Sequence, residues 1–159
     1  MQQSSHITPD GSIAMVDISN KNLSHRSARA RARVRLARAA KEALVAASLD
    51  KGDAFAAAQI AGIMAAKQTA TLIPLAHPIP LSEVQVSFAW DDDVLQIEGL
   101  ARTNAATGVE MEAMVAACVA ALTIYDMMKS LDKGITIETV ELLEKHGGKS
   151  GSWRRASEI

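Results

Sequence analysis

One long apolar segment, residues 108–131, constrains the fold of this chain more than any other feature. It predicts a helix of about 24 residues, with two carboxylates near its start and an aspartate and two lysines near its end. The residues between these charged ends are apolar almost all round, as expected of a helix that is buried on most sides. We therefore expect the core of the protein to form around this helix.

The two ends of this helix are too far apart to act on one small ligand within one chain. A helix rises about 1.5 Å per residue, which separates Glu112 from Asp126 by about 21 Å along the axis. Either the two carboxylates have unrelated roles, or two copies of the helix pair antiparallel across a two-fold axis. In the second case Glu112 of one subunit lies near Asp126 of the other, which predicts a site shared between subunits.

An alternating pattern of arginines lies nearer the N-terminus. Arg29, Arg31, Arg33 and Arg35 alternate with small or apolar residues, and this period of two predicts a strand with one basic face. Such a face fits a solvated surface or a contact between subunits. RNA binding is the alternative, although the chain lacks the aromatic side chains that stack on bases in an RNA-binding sheet.

The rest of the chain predicts two shorter helices and three more strands. The helices are expected at about 39–48 and 54–67, the second with Asp53 as its N-cap. The strands are expected at 84–88, 94–100 and 135–144. Prolines within residues 72–80 predict an ordered, extended loop. This order of elements indicates an α+β, ferredoxin-like fold, in which helices pack on one face of an antiparallel sheet.

Length and composition indicate a single soluble domain. The 159 residues are expected to form one domain, with a flexible arm at 1–14 and a flexible tail at 146–159. A formal net charge of −1 argues against general binding to nucleic acid or membranes, and no apolar stretch reaches the length of a membrane span. The one cysteine, Cys118, is expected to be a small buried side chain in the long helix. The cytoplasm is the simplest location.

Charged residues at the two ends of the long helix are candidates for acid–base chemistry. Asp126 and Lys129 are one helical turn apart, where a surface ion pair and a proton-transfer pair are the alternatives. Glu110 fits a capping box with Thr107 at the N-cap, whereas no capping role accounts for Glu112.

Two loops add further candidates. His77 lies in the proline-stiffened loop, and rigid loops are where binding residues concentrate. The glycines at 147–148 suggest a basic flap in which Lys145 and Lys149 close over an anion, not a P-loop, because Leu143 stands where that motif requires glycine. No group of residues has convincing metal-ligand spacing.

Several of these segments together resemble the cyclic pyranopterin monophosphate synthase family, the C component of molybdenum cofactor biosynthesis. The resemblance covers nearly the whole chain from 15 to 153, in order. It is carried by residues 15–21, 51–53, 61–63, 73–78, 107–113, 121–126 and 147–151.

The resemblance implies a phosphorus–oxygen lyase that converts 3′,8-cyclo-7,8-dihydro-GTP into cyclic pyranopterin monophosphate and releases pyrophosphate. It also implies a homohexamer, a trimer of dimers with active sites at the dimer interfaces. Asp126 falls at the position of the catalytic acid, and Lys51 and Lys129 fall on lysines of proton transfer and phosphate contact. The residues expected to bind the substrate are Leu75, Ala76, His77, Glu110, Met111, Glu112 and Lys145.

The chain departs from the family pattern at one loop position, where Ala76 replaces the usual cysteine. If the side chain at this position does essential chemistry, the replacement removes activity. If the loop offers mainly backbone groups to the substrate, the replacement is harmless, and we favour that interpretation. No cofactor is expected, and Mg²⁺ commonly accompanies a triphosphate without a dedicated protein site.

Overall fold

The computed structural model describes residues 6–8, 10–46 and 51–156. Its strands and helices follow one another in the order expected for a ferredoxin-like chain, with two additional short elements. They are β1 (Ser24–Arg35), α1 (Arg38–Val45), α2 (Ala54–Lys67), α3 (Thr69–Leu72), β2 (Leu81–Asp91), β3 (Val94–Ala105), α4 (Glu110–Met128), β4 (Thr136–His146) and β5 (Trp153–Arg154).

The strands form one sheet in the order β2-β3-β1-β4-β5, and each neighbouring pair is antiparallel. Helices α2 and α4 contact each other, and α4 also contacts β1 and β3. The predicted α+β, ferredoxin-like fold is confirmed. The long helix therefore packs between α2 and the sheet, and this burial explains its apolar composition.

Small residues allow the sheet and helices to approach closely. The inward-facing residues of β1 include Ala28, Ala30 and Ala32, each at most 1% exposed. At Gly99 in β3, a Cβ atom would lie 2.5 Å from the carbonyl oxygen of Ala113 in α4. A side chain at this position would push the helix off the sheet, so glycine is required for the packing.

The four alternating arginines of β1, Arg29, Arg31, Arg33 and Arg35, point to the opposite, open face of the sheet, as the period of two predicts. Carboxylates on the flanking strands neutralise them. Arg31 lies 2.7 Å from Glu141, and Arg29 lies 3.2 Å from Glu144. The pairs on this face are Arg29 with Glu98 and Glu144, Arg31 with Glu141, Arg33 with Asp91 and Glu138, and Arg35 with Glu138. The face is therefore a mixed array of charges, not a basic surface.

Three predictions about the long helix are wrong. The helix runs over Glu110–Met128 instead of 108–131, and its N-cap is Val109, which makes no side-chain cap. Glu110 does not cap the helix with Thr107, because its carboxylate is directed toward Lys145, 3.6 Å away. The helix is also long and apolar enough to cross a membrane, contrary to the expectation that no stretch is. Its packing against α2, β1 and β3 explains that composition.

The other elements differ from the predictions mainly at their ends. Helix α2 and its N-cap are as predicted, since the Asp53 carboxylate accepts a hydrogen bond from the Ala56 N–H at 3.0 Å. Helix α1 ends at Val45, and residues 47 and 48, at the end of its predicted range, lie outside the described residues. The short helix α3 and strand β5 were not predicted, because neither is long enough to show a period.

Candidate active site

The first group of predicted site residues meets at the C-terminal end of α4. The Lys129 ammonium lies 2.7 Å from Oδ1 of Asp126, and the Lys51 ammonium lies 3.7 Å from Oδ2. Lys51 also donates a hydrogen bond to the backbone oxygen of Asp126 at 2.9 Å. The loop before α2 thereby places Lys51 against the end of a helix that is distant in sequence.

The charges in this cluster stabilise one another. The hydrogen bond and charge of Lys129, with a smaller effect of Lys51, lower the pKa of Asp126. The same contact raises the pKa of Lys129. All three side chains are exposed, so a charged ligand can reach them. Two lysines around one carboxylate leave a net positive charge that suits a phosphate group.

The second group lies around a cleft at the N-terminal end of α4, with a volume of about 480 Å³. Three segments build it: the described residues before β1, called the arm from here on, the loop after α3, and the start of α4 with the residues just before it. The residues that line it are His6, Val16, Ile18, Lys21, Ile73, Leu75, Ala76, His77, Thr107, Gly108, Glu110, Met111 and Glu112. Its size and mixed polar and apolar lining fit a small heterocyclic ligand.

A hydrogen bond fixes the proline-containing loop against the arm. Nε2 of His77 donates to the backbone oxygen of Val16 at 2.7 Å. The Ala76 N–H donates to the Ile73 oxygen at 3.1 Å, which closes a turn in the loop. Ala76 therefore lines the cleft on a backbone that is held by local hydrogen bonds, and its own N–H is used within the loop.

Glu112 is the most unusual residue of this cleft. It is only 4% exposed, and burial, with a smaller effect of the Glu110 charge, raises its pKa to about 7. Glu110 remains half-buried and faces Lys145, which donates a hydrogen bond to Ser150 of the glycine-rich segment. A carboxyl that holds its proton near neutral pH can act as an acid, whereas an ion-paired carboxylate cannot.

One chain does not bring the two groups together. The cleft and the cluster lie at opposite ends of α4, because Glu112 and Asp126 are separated by 14 positions of the same helix, or about 21 Å. Within one chain, Leu75, Ala76, His77, Glu110, Met111 and Glu112 share the cleft, with Lys145 beside it. Asp126, Lys51 and Lys129 form the separate cluster.

Two basic residues of the site were missed in the reading of the sequence. Lys21 lines both the cleft and a neighbouring cavity of about 630 Å³, which also contains Arg26 and Lys149. The Arg26 guanidinium donates to the backbone oxygens of Ala105 and Ala106 at 3.0 and 3.1 Å. Lys21 belongs to a segment that carries the family resemblance and could have been found from it. Nothing in the sequence distinguishes Arg26 as a site residue from the other arginines of β1.

No group of three or more His, Cys, Asp or Glu side chains within residues 6–8, 10–46 and 51–156 is arranged to hold a metal ion. The cleft and the cluster offer a ligand hydrogen-bonding nitrogen and oxygen atoms and lysine cations. That chemistry suits an anionic, nitrogen-rich molecule.

Comparison with known proteins connects this arrangement to one family. Residues 15–148 match the MoaC family. A cyclic pyranopterin monophosphate synthase from Bacillus pumilus is 46% identical over 163 residues, covering 100% of both chains. The enzyme of that name from Thermomicrobium roseum is 48% identical over 157 residues, covering 98% of this chain and 95% of the relative. The one from Novosphingobium aromaticivorans is 47% identical over 156 residues, covering 98% and 99%. This chain therefore belongs to the MoaC family.

Proposed function

We infer that this chain is a cyclic pyranopterin monophosphate synthase, a lyase of molybdenum cofactor biosynthesis. The observation that carries the inference is identity of 46–48% to enzymes of that name over essentially the full chain. The cleft and the lysine cluster support it, because they supply the acid–base groups and cations that the chemistry requires.

We propose that the substrate is 3′,8-cyclo-7,8-dihydro-GTP and that the products are cyclic pyranopterin monophosphate and pyrophosphate. Conversion of a dihydropurine into a pterin requires C–N bonds to open and close by proton transfer. Asp126, Lys51 and Lys129 are the proposed catalytic groups for these steps. Their mutual ion pairs support the assignment, because Lys129 and Lys51 keep Asp126 ionised and able to accept a proton, while the two ammonium groups can donate one.

The second part of the reaction is closure of a cyclic phosphate. A sugar hydroxyl releases its proton to solvent as its oxygen attacks the α-phosphorus, and pyrophosphate leaves with the electron pair of the broken P–O bond. Lysine cations stabilise the negative charge that develops on the leaving group. The exposed ammonium groups of Lys51 and Lys129 are suited to this role, with Lys145 at the edge of the cleft.

We propose that the cleft binds the heterocycle through Leu75, Ala76, His77, Glu110, Met111 and Glu112. The complete site then requires a second copy of the chain, because the catalytic cluster lies at the other end of α4. An antiparallel pair of α4 helices related by a two-fold axis would place the cluster of one subunit over the cleft of the other. The exposed stripe on α4, including Met111 and Leu122, supports such a contact. A hexamer of three such dimers is the proposed assembly.

We further propose that the enzyme works in the cytoplasm without a resident cofactor. Any Mg²⁺ would arrive bound to the triphosphate. Turnover in the presence of EDTA, compared with turnover after Mg²⁺ is restored, tests this proposal.

Turnover of 3′,8-cyclo-7,8-dihydro-GTP, followed through pterin and pyrophosphate together, tests the proposed function. The purified protein should form both products in equal amounts. Asp126→Asn should keep the oligomer intact but lower kcat by about 10²–10⁴-fold, because a proton-transfer group is lost. Asp92→Asn is the matched control, since Asp92 occupies a turn with φ of 50° that asparagine also adopts.

The same assay tests whether alanine at position 76 is compatible with activity. Failure of the well-folded protein to form either product would contradict the proposed function and would point to the missing cysteine as its cause. An Asp126→Asn enzyme with wild-type kcat would remove Asp126 from the catalytic groups.

An RNA- or nucleotide-binding module without catalytic activity was the alternative function. The ion pairs on the open face of the sheet weigh against RNA binding, because Arg29, Arg31, Arg33 and Arg35 all have carboxylate partners. Binding of generic RNA that weakens steeply with salt would revive the alternative.

A further inference from the structure

A second cavity lies behind the cleft, on the other side of His77 and Glu112. The end of α2, helix α3 and the loop at 77–80 form it, and its volume is about 390 Å³. Among the described residues, only His77 and Glu112 line both cavities. These two side chains therefore form the wall between the cleft and the second cavity.

Glu112 has the properties of a group that passes a proton through this wall. It is 4% exposed within the chain, and it lines both cavities. Burial raises its pKa to about 7, so the carboxyl both holds and releases a proton near neutral pH. A ligand bound in the cleft would cover one side of the carboxyl and leave the other side facing the second cavity.

Charged and titratable groups from several elements line the two cavities that Glu112 shares. They are Glu110 on the same helix, His6 and Lys21 in the arm, His77 in the loop, and Lys67 at the end of α2. In the proposed dimer, a second copy adds the lysine cluster, whose positive charge opposes the effect of burial. The titration of Glu112 must therefore be measured on the assembled protein.

We propose that Glu112 donates a proton to a nitrogen of the substrate and regains a proton through the second cavity. This inference rests on the proposed function and deepens it. When a C–N bond of the purine opens, the electron pair of the bond passes to nitrogen, which binds the Glu112 proton. The carboxylate that remains takes a proton from solvent in the second cavity. Closure of the new C–N bond releases one proton from the attacking nitrogen, so opening and closure together consume none.

Three variants test this role in the turnover assay described above. Glu112→Gln keeps the size of the side chain but cannot transfer a proton, and it should lower kcat by about 10²–10⁴-fold with KM changed less than about threefold. Glu112→Gly leaves space for a small acid, and added formate should restore part of its kcat. Ala70→Leu narrows the second cavity without entering the cleft, because Ala70 lines only the second cavity. It should lower kcat by about tenfold, whereas Ala39→Leu on the exposed side of α1 should not.

The pH profile separates proton transfer from a structural role. The wild-type kcat should fall as the pH rises above the pKa of Glu112, and the residual activity of Glu112→Gln should lack that fall. The role of Glu112 would be overturned if the wild-type enzyme turns over and the Glu112→Gln enzyme has a kcat within tenfold of the wild-type value and the same pH profile. An Ala70→Leu enzyme indistinguishable from Ala39→Leu would overturn the route through the second cavity. Absence of wild-type turnover would instead contradict the proposed function itself.

Discussion

Two carboxylates on one helix show how the surroundings of a residue decide its chemistry. Asp126 is exposed beside Lys129 and Lys51, which lower its pKa and keep it ionised. Glu112 is buried near Glu110, and its pKa rises to about 7. The difference in chemistry therefore arises from solvent and neighbouring charge, not from the carboxyl group itself.

Glu112→Gln should stabilise the protein in a pH-dependent way. The folded protein holds the Glu112 proton up to a pKa of about 7, whereas the unfolded chain releases it near 4.5. Folding therefore becomes less favourable as the pH rises between these values. Glutamine carries no charge and avoids this loss, so the variant should gain up to about 3 kcal/mol in the free energy of unfolding at pH 8 and almost nothing at pH 4.

Urea unfolding at a fixed protein concentration measures this effect. Glu42→Gln is the control, because it removes the same charge from an exposed side chain and should change the free energy of unfolding by less than about 0.5 kcal/mol. An equal effect of Glu112→Gln at both pH values would show that Glu112 does not titrate as its burial implies.

At the scale of elements, close approach between α4 and the sheet depends on small residues. Gly99 in β3 and Gly62 in α2 both contact the backbone of α4, with hypothetical Cβ atoms 2.5 and 2.8 Å from carbonyl oxygens. Between them the helix has no room to move. The same packing fixes both ends of α4, and with them the positions of Glu112 and Asp126.

Gly99→Ala should destabilise the fold by about 1–3 kcal/mol, because the added methyl group overlaps the Ala113 carbonyl and forces α4 away from β3. Thermal unfolding followed by circular dichroism checks this. Gly134→Ala serves as the matched control, since its methyl group would meet only the Asp132 carboxylate, at 3.2 Å. Equal unfolding temperatures for the two variants would mean that α4 does not rest on Gly99 as described.

At the scale of the whole molecule, the separation of the cleft from the lysine cluster is the main consequence of the fold. A single helix runs between them, so no rearrangement of loops within one chain could close a gap of about 21 Å. The proposed two-fold pairing removes the gap without any change in fold. In an antiparallel pair, the N-terminal end of one α4 lies beside the C-terminal end of the other.

Co-expression of two inactive variants tests this pairing. In a mixed dimer of Glu112→Gln and Asp126→Asn subunits, one of the two sites combines the intact Glu112 of one subunit with the intact Asp126 of the other. Random assembly makes half of the dimers mixed, so activity should recover to about a quarter of the wild-type value. If each site belonged to one chain, the mixture would remain as inactive as its parts.

The fold was largely predictable because its elements have strong local periods. The arginine strand, helix α2 with Asp53, and the apolar character of α4 all depend on neighbours within a few residues of the chain. The N-terminal end of α4 was less predictable. Thr107 and Glu110 have the spacing of a capping box, but an ion pair with Lys145, far along the chain, directs Glu110 elsewhere.

By itself the sequence determined the type and order of the main elements, the family, and the candidate residues of the proposed site, since these follow from local patterns and recognisable segments. Only the tertiary structure decided how those residues are grouped and charged. It buried Glu112 between two cavities, paired the arginines of β1 with carboxylates, and placed Lys51 against Asp126. Each of these contacts joins residues distant in the chain or depends on access to solvent, and both are properties that only the folded chain has.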